Sequence, residues 1–488
     1  MDGARQAVVP PLGVLLGNWR GTEGSAYRQL AACLLDLVRD GRIPPGTRLP
    51  AERRLAADLV VSRTTVTAAY RLLCSSGHAE SRHGSGTYTI LPSQPAPAAQ
   101  GGAGVPLRVP PPRRAGQGGV REGGEGVIDL VTASLPAPEP WLPAAVDAAG
   151  RELARYAHGH GCFPAGLDEL REAVAGRYTR RGVPTDPEQI LVTNGATGAF
   201  ALLLRELTGP FDRVAVESPG HPNLVRAVEA AGARPLPVAL CDHGWDVPAW
   251  HSALRCAGPR LACLTPDFQQ PTGLLMSEDR RRALVALAAS TGVTLLVDET
   301  LAELSLTPLA PAPTPLAALD PGSSVITVGS AAKTLWSGLR VGWIRATPQL
   351  VRTLAVRRAG VDLAPPVLEQ LVVRHLLDDA RVFADTVAVQ RERARTRRDA
   401  LVAALRTELP DWTFRVPDGG LALWAHAGGR PAREIAALAE RDGVRLAAGP
   451  RFGTEVHLEG FLRLPFAQPP EVLAEAVRRI APHGRGPA

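Results

Sequence analysis

Between residues 25 and 90 the apolar positions recur mainly at helical spacing. SAYRQLAACLLDLVRDG carries Leu30, Cys33, Leu34 and Leu37 on one stripe and stops at Gly41. IPPGTRLP reads as a turn and AERRLAADL as a short helix. VVSRTTVTAAYRLLCSSG starts another, with Ser62 as its N-cap and Val66, Ala69, Tyr70 and Leu73 on one face. HAESRHGSGTYTIL then alternates as two short strands around a Gly84/Gly86 turn. Helices followed by a β-hairpin in this order predict a winged helix-turn-helix. From Leu91 to Gly126 periodicity disappears into Pro, Gly, Ala and Gln, the composition of a linker. After residue 127 the pattern changes again. Short apolar runs (QILVT, VAVES, LACLT, TLLVDE, VITVG) alternate with helical stretches and Gly/Pro turns, which predicts an α/β body with a largely parallel sheet. The expected organisation is a head at 24–90, a linker at 91–127 and a body at 128–488, with a smaller α+β subdomain from about 345.

Composition fits a globular protein: of 488 residues, 45% are hydrophobic and 21% charged. No apolar run approaches the roughly 18 residues of a membrane span, so no membrane partner is expected. Asp2, Pro10 and Pro11 interrupt the N-terminal apolar stretch, which argues against a secretory signal. The 6 cysteines form no CxxC pair and read as buried thiols of a cytoplasmic protein, neither disulfide staples nor metal ligands.

Charge is unevenly placed. The net charge of +6 lies wholly before residue 128, with +4 on the head and +2 on the linker, while the body balances. A basic module on a neutral body suggests an anion-binding head, and a winged helix-turn-helix presents its second helix to the major groove of double-stranded DNA. Ser62, Arg63, Thr64 and Thr65 form the first turn of that helix, Arg53 precedes it, and His83 and Gly84 occupy the wing tip. Their places suit base-edge and phosphate contacts.

Of the 54 basic residues only Lys333 is lysine. In so arginine-rich a chain, a lone lysine is a candidate for covalent chemistry, because a guanidinium cannot shed its proton to form an imine. Lys333 follows the strand VITVG, and Ser330 and Arg340 on either side could hold a phosphate. This combination fits pyridoxal phosphate. Asp298, ending TLLVDE, suits the carboxylate that keeps the pyridine nitrogen protonated. VTNGAT offers the N–H groups of Gly195, Ala196 and Thr197 to the phosphate, Gln270 could bond the ring oxygen, and Arg463 in FLRLPFA could clamp a carboxylate.

Both parts also resemble known families. LPAERRLAADLVVSRTTVTAAYRLLCSSGHAESRHGSGTYT resembles the DNA-binding domain of GntR-type bacterial regulators over nearly all of residues 25–90, which implies DNA contacts at Arg53, Ser62, Arg63, Thr64, Thr65, His83 and Gly84. CFPAGLDELREA, VTNGAT, ESPGHPN, PDFQQPTG, VDE, GSAAK, GGLALW and LRLPFA resemble, in order and spacing, class I aminotransferases of fold type I. The pairing is similar to that of MocR regulators. It implies Lys333 as Schiff base, Asp298 at the pyridine nitrogen, Ser330, Arg340, Ala196 and Thr197 on the phosphate, Gln270 on the ring oxygen and Arg463 on an effector carboxylate. The implied protein is a homodimeric regulator that senses a small amine or amino acid by aldimine exchange at Lys333. The alternative is a working aminotransferase with a vestigial head. His221 stands where the family has a stacking aromatic, Gln270 replaces an asparagine, and DETLAEL lacks the tyrosine that follows the aspartate. Turnover is therefore expected to be poor or absent.

Overall fold

The computed structural model describes residues 12, 16, 26–39, 43, 47–75, 79–82, 86–89, 126–308, 312–320, 322, 324–453 and 456–485. The chain divides into two compact units, residues 1–105 and 106–488.

In the first unit, helices Ala26–Arg39, Glu52–Asp58 and Arg63–Ser75 precede strands β1 (Ala79–Arg82) and β2 (Gly86–Thr89), which pair antiparallel. Arg48 bridges Tyr88, and Leu49 and Thr89 exchange backbone bonds with Thr87 and Thr47, so residues 47–49 extend the hairpin. Leu30, Leu34, Leu37, Leu55, Val66 and Leu73 form the core. They are the stripe residues of three short helices, none of which would be stable alone.

The second unit begins with β3 (Ile128–Asp129). Its large sheet contains β4 (Ile190–Thr193), β5 (Arg213–Ser218), β6 (Arg234–Cys241), β7 (Gly244–Trp245), β8 (Leu261–Leu264), β9 (Thr294–Asp298), β10 (Val325–Ser330) and β11 (Gly342–Arg345). Their order is β4-β11-β10-β9-β8-β5-β6-β7. β5, β6, β8, β9 and β10 pair in parallel, whereas β11 runs antiparallel to both neighbours. Both faces are buried, which is why these strands read as continuous apolar runs. Leu296 faces one cluster with Leu191, Val214 and Val328, whereas Leu295 and Val297 face another with Trp250 and Val285.

The smaller sheet has the order β12-β13-β16-β15, from β12 (Thr413–Phe414), β13 (Ala422–His426), β15 (Ala447–Ala448) and β16 (Phe461–Pro465); β14 (Val444–Arg445) pairs with β3. The transition between large and small layers falls later than residue 345. Helices Pro348–Arg357 and Val367–Asp378 pack on the large sheet through Val351, Leu354, Leu371 and Val372. The small core takes Leu401, Leu405, Leu423, Leu464 and Ile480, together with Leu130, Ala133 and Leu135 from the start of the body. An amphipathic stripe shows that a face is buried but not which layer covers it.

Candidate functional site

Every parallel strand of the large sheet points its C-terminal end at one edge, the usual location of sites in open α/β sheets. β9 ends there at Asp298 and β10 at Ser330, which caps the short helix Ala331–Thr334 carrying Lys333. β4 leads through Asn194 into the helix Gly195–Leu207, β5 into Pro219–His221, and β8 into the loop that holds Gln270. The antiparallel β11 starts at this edge, just after Arg340. The structure thus brings Lys333, Asp298, Ser330, Arg340, Ala196, Thr197, Gln270 and His221 to one end of the sheet. Arg463 arrives on β16 of the small layer.

The Lys333 amine donates to the carbonyl of Ala133 at 2.5 Å. Burial, and then the Arg463 cation, push its pKa down to about 8, with Asp298 opposing. Asp298 is itself raised by burial, although Thr300 donates its backbone N–H to the carboxylate at 2.8 Å and Lys333 favours its charge. His221 accepts the Asn223 N–H at 3.2 Å, capping helix Pro222–Ala230, and desolvation followed by Lys333 and Arg463 holds its ring down at about 3. The ring is therefore neutral.

Arg340 sits in the left-handed region at φ 53°, its Nη2 donating to the Asn194 carbonyl at 3.4 Å. The close approach of this turn depends on Gly342, where a Cβ would lie 2.6 Å from the Gly195 carbonyl carbon and 2.9 Å from the Ala196 nitrogen. The N–H groups that open the helix Gly195–Leu207, whose first turn includes Ala196 and Thr197, and the Arg340 guanidinium thus meet at the Asn194 turn, with Ser330 ending β10 on the same side of the sheet, a set of donor types suited to a phosphate. At present the Ser330 hydroxyl donates to Val341 O and accepts from Ala332 N, both at 3.1 Å.

Arg463 donates to the carbonyl of Val131 and lies 5.1 Å from the centre of the Phe452 ring. Burial and then Arg451 press it down to about 10, with Asp129 opposing, and its Nε is buried with no partner. The Gln270 carbonyl oxygen is also buried without a partner. Buried polar atoms are normally satisfied; these two belong to residues at the candidate site, whereas Trp250 Nε1 and Thr327 Oγ1 are likewise unpaired elsewhere in the sheet layers. A lysine of depressed pKa, a buried carboxylate and an anion cup at one end of the sheet together fit pyridoxal phosphate.

Sequence reasoning passed over several participants. The carbonyls of Val131 and Ala133 engage two cations, but backbone contacts leave no side-chain signature. Gln269, beside the expected Gln270, ties the loops together by donating to Glu217 at 3.2 Å and to Pro219 O at 2.8 Å. Glu217 also accepts from Trp245 Nε1 at 2.6 Å and Thr265 N at 2.9 Å, and burial raises it to about 7.

In the first unit, Arg53, Ser62, Arg63 and Thr64 are exposed at and before the start of helix Arg63–Ser75, and Thr65 is half-buried. The Ser62 hydroxyl accepts the Thr65 N–H at 3.1 Å, as a cap should, and bonds the hydroxyls of Thr64 and Thr65 at 2.8 Å. Arg63 pairs with Glu52 at 3.3 Å. His83 and Gly84 lie outside the described residues. Among the described residues no helix is long and apolar enough to cross a membrane, and no group of His, Cys, Asp and Glu is arranged to hold a metal. The cysteines are not uniformly buried as expected: Cys263 is buried within β8, whereas Cys33, Cys74 and Cys162 are half-buried and Cys241 and Cys256 exposed.

Two family models match the sequence: aminotransferase class I and II over residues 125–480, and bacterial regulatory proteins of the gntR family over residues 26–89. The chain is 30% identical to the HTH-type transcriptional regulator TauR of Rhodobacter capsulatus, over 94% of this chain and 97% of that one. It is 33% identical to the HTH-type pyridoxine biosynthesis transcriptional regulator PdxR of Corynebacterium glutamicum, over 80% and 81%. Among solved structures, the α-aminoadipate aminotransferase LysN of Thermus thermophilus, complexed with N-(5'-phosphopyridoxyl)-L-leucine, aligns with a TM-score of 0.67 at 28% identity, covering 73% of this chain and 92% of that one.

Proposed function

The chain belongs to the class I and II aminotransferase family and carries a gntR-family head, and from this membership we propose that its body senses a small amine or amino acid at Lys333 and controls how its head engages an operator. The protein is a regulator of the MocR type, with a DNA-binding head and a body of the fold that uses pyridoxal phosphate. The observation that carries the sensing reading is the position of Lys333. The only lysine of the chain stands at the sheet edge with its pKa held at about 8, between a buried carboxylate and an arginine with an unused donor.

Bound there, pyridoxal phosphate supplies an aldehyde that condenses reversibly with primary amines. Lys333 offers a neutral amine at mildly alkaline pH. Ala196, Thr197, Ser330 and Arg340 would hold the phosphate, Asp298 would keep the pyridine nitrogen protonated, Gln270 would bond the ring oxygen and His221 would cover the ring. Arg463, whose Nε is unpaired, would take an effector carboxylate. An effector shifts the head only insofar as it binds two states of the protein with different affinity.

On the head, Ser62, Arg63, Thr64 and Thr65 read base edges and Arg53 holds a phosphate, with His83 and Gly84 at the wing. The protein works in the cytoplasm as a homodimer. Exposed Trp336, Val361 and Leu363, near Lys333 in sequence or flanking the Asn194 partner Asp362, support a second copy covering this side of the body. The test is a mobility shift on DNA flanking the protein's own gene, run beside an absorbance titration with candidate amines. The reading requires that an amine which changes the Lys333-linked band also changes the DNA affinity. It fails if the two never move together.

A further inference from the structure

Behind the anion cup lies a chain of polar contacts that the cofactor reading leaves unused. Arg358 is fully buried, at 0% exposure. Its Nε and Nη2 donate to the two oxygens of Asp362, each at 2.9 Å. Its Nη1 donates to the carbonyls of Val192 at 2.7 Å and Pro164 at 2.8 Å. A guanidinium without water is tolerable only when paired and fully bonded in this way. The pair is effectively neutral, so it spends no negative charge against a nearby phosphate. Asp362 has one further bond: it accepts the side-chain N–H of Asn194 at 2.7 Å.

Asn194 is the residue from which the anion cup is built. It precedes Gly195, caps the helix by backbone position alone, and makes no side-chain cap bond to that helix. Its carbonyl receives Arg340. Its side chain is therefore committed outward, to Asp362, while its backbone sets where the first helix N–H groups and Arg340 stand. Arg358 grips the strand that leads into Asn194, two residues earlier, through the Val192 carbonyl. Buried bracing, carboxylate, amide and cup form one continuous connection.

We propose that Asp362 and Asn194 are positioning residues for the cofactor phosphate, with the Arg358–Asp362 pair anchoring the Asn194 backbone that orients the helix N-terminus and Arg340. The proposal rests on the cofactor reading above. It assigns these residues to the phosphate alone and not to the ring. A misplacement of a few tenths of an ångström weakens several charge-assisted bonds together, because the donors share one backbone turn.

The experiment compares the affinity of the full chain for pyridoxal phosphate with that for pyridoxal, which lacks the phosphate, by absorbance at fixed pH. Asn194→Ala removes the link without disturbing the ion pair. Asp362→Asn weakens the anchor and leaves Arg358 less well neutralised, so Asn194→Ala guards against a simple loss of folding. Each variant is expected to weaken pyridoxal phosphate by about 10-fold, the lower end for loss of an orienting partner around a bound group, while changing pyridoxal less than about 2-fold. The double variant is expected to lose no more than the stronger single one, because both cut one connection. Equal weakening of both ligands, or no weakening of either, overturns the role. Absence of any band in the unsubstituted protein overturns the cofactor reading and this role with it.

Discussion

The amine of Lys333 donates to the backbone carbonyl of Ala133, 200 positions earlier in the chain, at 2.5 Å. The contact joins the large sheet to the segment that opens the body, and Arg463 reaches the same segment through Val131. Two cations therefore share one short stretch of backbone carbonyls, and Arg463 disfavours positive charge on Lys333. Burial first, and then the Arg463 cation, hold the Lys333 pKa down at about 8.

The pH dependence follows directly. Below about 8 the Lys333 amine carries a proton and cannot attack an aldehyde; above it the amine is free. The rate at which the protein captures pyridoxal phosphate should rise with pH and level off above about 8. Arg463→Gln removes a cation and should move this inflection upward. Lys333→Ala and Lys333→Arg should both lose the absorbance band and its fixation by borohydride, the second because a guanidinium stays protonated. A normal band in either variant would remove Lys333 from the chemistry.

DNA binding should be steeply salt-dependent, since phosphate contacts release counterions. Arg63→Ala in the full chain should cost about 1–3 kcal/mol if the side chain reads a base edge, without altering the absorbance band. The exposed Arg63–Glu52 pair at 3.3 Å competes with that contact. Glu52→Gln should therefore tighten binding modestly, since an exposed pair is worth at most about 1 kcal/mol. Fluorescence anisotropy over a range of salt concentrations measures both effects. Unchanged affinity in Arg63→Ala would take the residue out of the interface.

Glu217 gives a stability prediction. Burial raises its carboxyl to about 7 from an ordinary value of 4.5. Between these values the folded protein holds a proton that the unfolded chain has released, so this group's contribution to stability is complete below about 4.5 and is lost as pH rises through 7. The whole effect is at most about 3–4 kcal/mol, at 1.36 kcal/mol for each step of pKa between 4.5 and about 7. Glu217→Gln stays uncharged. Its melting temperature relative to the unsubstituted protein should therefore increase between pH 5 and pH 8, as thermal unfolding across that range would show. A constant difference would mean that Glu217 is ionised throughout.

What was legible in the sequence was what composition made rare or periodicity made regular. Lys333 stood out because every other basic residue is arginine, and Asp298 and Ser330 because apolar runs end there. The strands were legible because both sheet faces are dry. Arg358 and Asp362 gave no such signal: one is an arginine among many, and their partner Asn194 is far off in sequence. Glu217 was quoted in a motif, but only packing shows that its carboxyl meets Trp245, Thr265 and Gln269. The contribution of residues 128–135 to the small core was hidden for the same reason, since a short segment carries too few positions to reveal its partner.

Turnover as an aminotransferase is expected to be slow although amines condense at the site. Condensation requires the Lys333 amine, the phosphate donors and Asp298, and all stand at one sheet edge. Proton movement at the substrate carbon also requires an accurately held ring. The residue proposed to cover the ring is His221, whose Nδ1 is committed to the Asn223 N–H at 3.2 Å. A histidine face contributes a fraction of the roughly 0.5–1.5 kcal/mol of an aromatic pair. Where a phenol would reach the ring oxygen, Thr300 turns its backbone to Asp298, and Leu301 is buried in the small core at 1% exposure. Neither supplies a donor of sufficient length. A misplacement near 1 Å costs on the order of 100-fold in rate. A sensor tolerates this, because a ligand that stays bound is a longer signal than one consumed. The check is a single-turnover reaction with a panel of amino acids, followed by absorbance. Slow or incomplete conversion to pyridoxamine phosphate is expected. Rapid, complete conversion with multiple turnovers on an added keto acid would show a working aminotransferase instead.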